Sequence, residues 1–190
     1  VMAQSPPVAT YQDVLDAPEN MVAELIDGEL FLQPRPAQPH TEAASVLGGL
    51  LVAAFRLGVT GPGGWRIQYE PELHLGPQVL VPDLAGWRIA DADVDLHAAY
   101  VECPPVFVCE VLSPSTRRLD RHRKLPIYAR FGVAWAWLLD PIECTLEVFE
   151  RRDDGWRPVA AHEGSGTVRV PPFDAIDLPL AELWPSGGAP

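Results

Sequence analysis

The stretch FVCEVLSPSTRRLDRHRK, residues 107–124, decides which fold and which site we expect from this chain. Its first part is an apolar run typical of a buried strand, and this run carries one carboxylate, Glu110. Successive side chains of a strand point to opposite faces, so Val108, Glu110 and Leu112 share one face. An unpaired buried carboxylate is costly, so we expect Glu110 to face a cleft. A Glu that faces solvent or pairs with an Arg is the alternative interpretation.

The second part of the stretch concentrates positive charge. Between Arg117 and Arg130 the chain has six basic residues and one acidic residue, a local charge of +5 within a net charge of −12. The acidic balance argues against a general binder of nucleic acid or of membrane surfaces. The basic patch is compatible with a small anionic substrate or with one short contact to a phosphate backbone. A solvated helix face is the alternative.

Strand-like and helix-like segments alternate along the rest of the chain. The segment ELIDGELFLQP, residues 24–34, predicts a β-hairpin around Asp27-Gly28, and residues 145–161 predict a second hairpin near the C-terminus. Apolar residues at helical spacing predict a helix over residues 41–58, and residues 120–132, which include most of the basic patch, predict a second helix. Strands interleaved with two helices indicate an α/β domain with a mixed central sheet flanked by helices.

Length and composition bound the class of protein. The 190 residues fit one domain, which we assign to residues 11–185 after a flexible tail at residues 1–10. The apolar share of 47% suffices for a sizeable core. Because no apolar run reaches about 18 residues, we expect no membrane-spanning helix. Three cysteines without metal-binding spacing suit reduced thiols, so we expect a cytoplasmic protein.

Three residues in the middle of the chain form a candidate site. Asp83 follows a proline at the end of an apolar run, where its carboxylate can project from the rim of a sheet. If Asp83 and Glu110 lie on adjacent strands, their oxygens suit a hard divalent ion, Mg²⁺ or Mn²⁺. Lys124 is the single lysine beside 13 arginines, which points to a position that requires an ammonium. These groups are what metal-assisted phosphodiester hydrolysis requires, with Arg117 and Arg121 as candidate phosphate-binding residues.

Several fragments together resemble the Uma family of endonucleases, a member of the restriction-endonuclease-like PD-(D/E)XK superfamily. The fragments are VPDLAGW, CEVLSPSTRRLDRHRKLPIYARFGV, WLLDP and the N-terminal ELIDGEL. This resemblance implies a restriction-endonuclease-like sheet with the site at one end, and DNA cleavage that depends on a divalent metal. It also implies a homodimer, because many nucleases of this kind cut two strands as dimers.

The resemblance assigns roles to individual residues. Asp83 matches the PD element and Glu110 matches the (D/E) position. The wider superfamily has a lysine two positions after the Glu, where this chain has Leu112, so the resemblance implies that Lys124 takes the catalytic role from the next helix. Superfamily sites often recruit an acid from the first helix, which makes Glu42 a further candidate metal ligand. A helix-dipole partner is the alternative for Glu42.

The sequence also offers auxiliary site residues and more than one function. His40 and Glu29 are auxiliary candidates for the site, and Glu24 is the alternative to Glu29 beside the hairpin turn. The leading hypothesis is a metal-dependent endonuclease. A nuclease-like module that binds or assembles without cutting is the second hypothesis, favoured by the acidic balance and by Leu112. A hydrolase of small phosphate esters is the third.

Overall fold

The computed structural model describes residues 8–153 and 155–185. Most of the predicted tail, residues 1–7, and Asp154 at the tip of the predicted second hairpin lie outside the described residues. The α-helices are α1 (Tyr11–Leu15), α2 (Gln38–Leu51), α3 (Arg117–Leu119) and α4 (Leu125–Arg130). Two π-helical segments, Val52–Arg56 and Asp120–Lys124, extend α2 and join α3 to α4, and a 3₁₀ helix covers Leu180–Leu183. None of the helices in the described ranges is long and apolar enough to cross a membrane.

Twelve strands are present in the described residues and form three sheets. They are β1 (Met21–Ile26), β2 (Glu29–Pro34), β3 (Trp65–Tyr69), β4 (Leu73–Leu75), β5 (Gln78–Leu80), β6 (Leu84–Arg88), β7 (Phe107–Val111), β8 (Trp135–Asp140), β9 (Thr145–Arg152), β10 (Gly155–Glu163), β11 (Thr167–Val168) and β12 (Leu178–Pro179). The six-stranded sheet has the order β10-β9-β8-β7-β6-β3, and the four-stranded sheet has the order β2-β1-β5-β4. Strands β11 and β12 pair separately.

The six-stranded sheet is mixed, as the sequence predicts. Strands β7 and β8 run parallel, whereas all other neighbours in this sheet are antiparallel. Parallel neighbours need a crossover connection, and the helical segment from α3 to α4 supplies it. This crossover places the basic stretch directly after the end of β7, beside Glu110.

Both predicted hairpins are present. In the first, Ile26 pairs with Glu29, and Asp27 and Gly28 both have positive φ angles, 51° and 79°. Two consecutive residues with positive φ angles form a tight turn whose twist matches that of the flanking strands in a two-residue hairpin. Asp and Gly both tolerate positive φ angles, which explains why this pair occupies the turn. In the second, strands β9 and β10 pair in antiparallel fashion, beginning with Arg152 and Gly155.

Strand β7 separates two hydrophobic cores. Phe107, Cys109 and Val111 belong to the core that also contains residues of α2. Val108 and Leu112 belong to the other core, with residues of α4. The predicted alternation is therefore correct, and it places Glu110 on the face covered by the helical crossover.

Helix α2 begins earlier than the predicted residue 41. Its first residue is Gln38, with a proline in the first turn, and Thr41 lies inside the helix rather than at its N-cap. Proline is well accommodated there because its fixed φ angle suits a helix and the first N–H groups have no helical acceptor. The Thr41 hydroxyl donates instead to the carbonyl oxygen of Ala37, at 3.3 Å.

Candidate active site

A cavity of about 800 Å³ lies where the first hairpin, the Pro-rich loop after β2, the end of β7 and the start of the crossover meet. Its lining includes all three residues of the predicted site, Asp83, Glu110 and Lys124. These residues come from three separate segments, so tertiary structure alone brings them together. His40, an auxiliary candidate, also lines the cavity.

The ammonium of Lys124 lies among buried acids. Its Nζ atom is 2.9 Å from Glu24 Oε1 and 3.0 Å from both carboxylate oxygens of Glu110. It also donates to the carbonyl oxygen of Val81 at 3.2 Å and lies 3.7 Å from Asp120 Oδ1. The Lys124 side chain is 2% exposed, and a buried charge of this kind persists only when it is paired and hydrogen-bonded.

Two side chains of the helical crossover hold Glu110. The Tyr128 hydroxyl donates to Glu110 Oε1 at 2.6 Å, and Lys124 approaches from the crossover. Burial raises the pKa of Glu110 well above its ordinary value, although the Lys124 charge acts in the opposite direction. Burial lowers the pKa of Lys124, but the charges of Glu110 and Glu24 outweigh it and raise that pKa overall. The lysine is therefore protonated at neutral pH.

Asp83 is fixed beside Glu110 through the backbone. Its Oδ2 atom accepts a hydrogen bond of 2.6 Å from the N–H of Val111, the residue after Glu110. Its Oδ1 atom is 3.0 Å from His40 Nε2. Burial lowers the pKa of His40, but the hydrogen bond and charge of Asp83 outweigh it, so the net shift is upward. His40 is thereby placed to orient Asp83.

Sequence reasoning missed two members of this cluster and left a third undecided. Asp120, Lys124 and Tyr128 follow one another at intervals of four residues and lie on one face of the helical crossover. This spacing is visible in the sequence and could have identified Asp120 and Tyr128. Glu24 lies on β1 and contacts Lys124, which selects it over Glu29 as the acid of the hairpin.

Burial also changes the titration of Asp120. It raises the pKa of this carboxyl from 3.8 to about 6, while the Lys124 charge and a hydrogen bond with Thr116 act to lower it. Asp120 is 3% exposed, so its charged form loses most of its hydration.

The structure does not bring Glu42 and Glu29 to the cavity. Glu42 is exposed on α2 and lies outside the cavity lining. The Glu29 side chain is 63% exposed and its Oε2 atom is 3.4 Å from an Arg123 nitrogen. The physical reason for Glu42 is the rotation of α2: the helix buries Ala43 and Leu47 against the sheet, which leaves Glu42 on the solvent side.

The two predicted phosphate-binding arginines also face away from the cavity. Arg117 forms an ion pair of 2.6 Å with Asp140, and Arg121 forms a bidentate pair with Glu147. Arg118 lines the cavity instead and forms no ion pair with any residue that the structure describes. Adjacent helical residues are rotated by about 100°, so Arg118 points elsewhere than Arg117 and Arg121, which share a face.

The cavity has the donor chemistry that a hard divalent cation requires. Four carboxylates that are buried or half-buried line it together with the Lys124 ammonium, while the arginines of the lining, Arg35, Arg118 and Arg123, lie nearer the surface. The four acids are Glu24, Asp83, Glu110 and Asp120. Oxygen donors of this type suit Mg²⁺ or Mn²⁺. Within residues 8–153 and 155–185, no group of three or more His, Cys, Asp or Glu side chains is arranged to hold a metal ion. The Lys124 ammonium already engages three of these acids, Glu24, Glu110 and Asp120, whereas Asp83 is held by His40 and by the Val111 N–H.

Comparison with known proteins agrees with this fold and identifies the family. Residues 8–181 match the Uma2 family, whose description reads "Putative restriction endonuclease". A similar solved structure is described as a "putative nuclease belonging to DUF820" from Anabaena variabilis, with a TM-score of 0.72 and 21% sequence identity over 92% of this chain and 97% of that chain. That likeness shows the shared fold. No curated protein matches the chain. Because the family match spans most of the chain, this protein belongs to the nuclease-like Uma2 family.

Proposed function

We propose that this protein is an endonuclease that hydrolyses DNA phosphodiester bonds with the help of Mg²⁺ or Mn²⁺. The observation that carries the proposal is the convergence of Asp83, Glu110 and Lys124 on one cavity. Membership of the Uma2 family supports the same reaction class. When bound, the divalent cation lowers the pKa of water and offsets the charge that builds up on the phosphate.

The proposed roles follow from the contacts of each side chain. Asp83 and Glu110 provide carboxylate oxygens to hold the cation, and His40 orients Asp83 through the contact between Nε2 and Oδ1. The proposed role of Lys124, which is protonated and 3.0 Å from Glu110, is to orient water and to stabilise negative charge on the phosphate. Its other contacts hold the ammonium in one position before substrate arrives, which is the preorganisation that electrostatic catalysis requires.

Arginines at the mouth of the cavity are the proposed contacts to the DNA backbone. Arg118 and Arg35 are exposed, line the cavity and form no ion pair with the described residues. They can therefore bind phosphate without first breaking an existing pair. This assignment replaces the earlier expectation for Arg117 and Arg121, whose guanidinium groups are already paired.

Cleavage assays with matched variants test the proposal. Purified protein is incubated with plasmid, single-stranded DNA and small phosphate esters, in Mg²⁺, Mn²⁺ or EDTA. We expect metal-dependent cutting of DNA that is lost in Asp83→Asn and Glu110→Gln. Glu42→Gln is the matched control, because Glu42 is exposed outside the cavity and its variant should cut like the wild type. Equal cutting by Glu110→Gln and wild type would exclude this site.

One observation favours a second candidate, a nuclease-like module that binds without cutting. The Lys124 ammonium neutralises part of the acidic cluster, and the described residues provide no complete metal-ligand group. Calorimetric titration with Mg²⁺ or Mn²⁺ separates the two candidates, because a module of this kind takes up no metal. The homodimer and the cytoplasmic location stay predictions, and light scattering of the purified protein checks the first.

A further inference from the structure

Glu24 has an unusual position for a strand residue of an N-terminal hairpin. The whole residue is buried, with a relative exposure of 0%. Three donors satisfy its carboxylate: Lys124 Nζ at 2.9 Å and the Val81 N–H at 2.8 Å reach Oε1, and Gln33 Nε2 reaches Oε2 at 2.7 Å. These partners lie on three other segments, so Glu24 ties the hairpin to the crossover at the base of the cavity.

The cost of this arrangement argues that it serves the site. A buried ion pair gives little net stability, because desolvation of both charges offsets their attraction. An apolar residue at position 24 would pack the hairpin without that cost. The carboxylate instead shares one ammonium with Glu110, at 2.9 Å from Glu24 against 3.0 Å from Glu110, so both acids attract the same Lys124 Nζ atom.

We infer that Glu24 is a positioning residue that holds the Lys124 ammonium in place against Glu110, with Gln33 orienting Glu24 in turn. The inference rests on the proposed nuclease function for its consequence in catalysis. Its structural content, the position of one ammonium, stands independently of whether DNA is cut. Glu24 acts through Lys124 and need not touch the substrate.

The chain offers a selective probe of this ammonium, because Lys124 is its single lysine. Protein labelled with ¹⁵N-lysine therefore gives one side-chain ammonium resonance, and in EDTA we expect this resonance to be protected from exchange with water. Glu24→Gln keeps the shape of the side chain and removes its charge. We expect this variant to shift the resonance and to accelerate its exchange at least tenfold, whereas Glu42→Gln leaves both unchanged.

Kinetics give the second readout. With DNA as substrate, Glu24→Gln is expected to lower kcat by about 100-fold, the cost of a misplaced catalytic group, with KM for DNA unchanged. If Glu24 merely supported folding, its substitution would lower the melting temperature without lowering kcat at an unchanged KM. If the wild type cuts nothing, the proposed function fails, but the ammonium resonance still tests the position of Lys124.

Two results would overturn the inference. The first is an ammonium resonance in folded Glu24→Gln that matches the wild type in shift and exchange rate. If Glu24→Gln does not fold, a second variant tests the inference. Gln33→Met removes only the donor to Glu24 Oε2 and leaves the buried charges paired. We expect it to change the ammonium resonance in the same direction as Glu24→Gln, but by less. An unchanged resonance in Gln33→Met would refute the role of Glu24.

Discussion

Removal of the single lysine should strongly destabilise the protein in the absence of metal. Lys124→Met deletes an ammonium that lies 2.9 Å from Glu24 and 3.0 Å from Glu110, and it leaves both acids buried. Each contact corresponds to about 5 kcal/mol of gross attraction at an effective dielectric constant of about 20. Desolvation of the ammonium cancels much of this attraction, so we expect a net loss of about 3–5 kcal/mol in the free energy of unfolding at pH 8.

The loss should depend on pH with a definite sign. Without the ammonium, the acids can avoid buried charge only by binding protons, which becomes easier as the pH falls. The destabilisation of Lys124→Met should therefore be smaller at pH 5 than at pH 8. Urea unfolding in EDTA at both pH values measures it, with Arg56→Gln, an exposed arginine outside the cavity, as the control. A Lys124→Met variant within about 0.5 kcal/mol of the wild type at pH 8 would refute the buried-charge argument.

Three further predictions concern the other charged groups. Glu110→Gln keeps an acceptor for Tyr128 but loses a metal ligand and a buried partner charge of Lys124, so calorimetry of the folded variant with Mn²⁺ should show no uptake and its melting temperature should lie below that of the wild type. The pKa of Asp120 is about 6 in the folded state and 3.8 as its ordinary value, which we take for the unfolded state. The folded state therefore binds this proton more tightly, which stabilises the fold by about 3 kcal/mol below about pH 4. This contribution is lost as the pH rises through 6. Urea unfolding of Asp120→Asn in EDTA should accordingly show a weaker pH dependence than the wild type, and an equal dependence would contradict the raised pKa. Arg118→Gln should reduce the slope of log affinity for DNA against log salt concentration by about one, the loss of one phosphate contact, without a loss of stability. Arg117→Gln should instead destabilise the fold, because Asp140 loses its partner.

Local sequence determined much of the fold. The Asp27-Gly28 pair specifies its own turn, because both residues tolerate positive φ angles, and a two-residue hairpin follows. The alternation in residues 107–112 specifies which side chains share a face, because strand geometry has a fixed period of two. The two acids of the proposed site were also visible in the local sequence, because Asp83 ends an apolar run and Glu110 interrupts one.

Tertiary structure decided which charged groups meet. Sequence periodicity shows that Arg117 and Arg121 share a helix face, but the rotation of that helix against β8 and β9 turns this face to Asp140 and Glu147 rather than to the cavity. Glu24 on β1 contacts Lys124 of the crossover because these two segments, 100 residues apart in the chain, pack together. No local sequence pattern encodes that contact. Packing of side chains over the whole core sets these rotations and distances, and the position of a buried charge follows from its partners rather than from its neighbours in the chain.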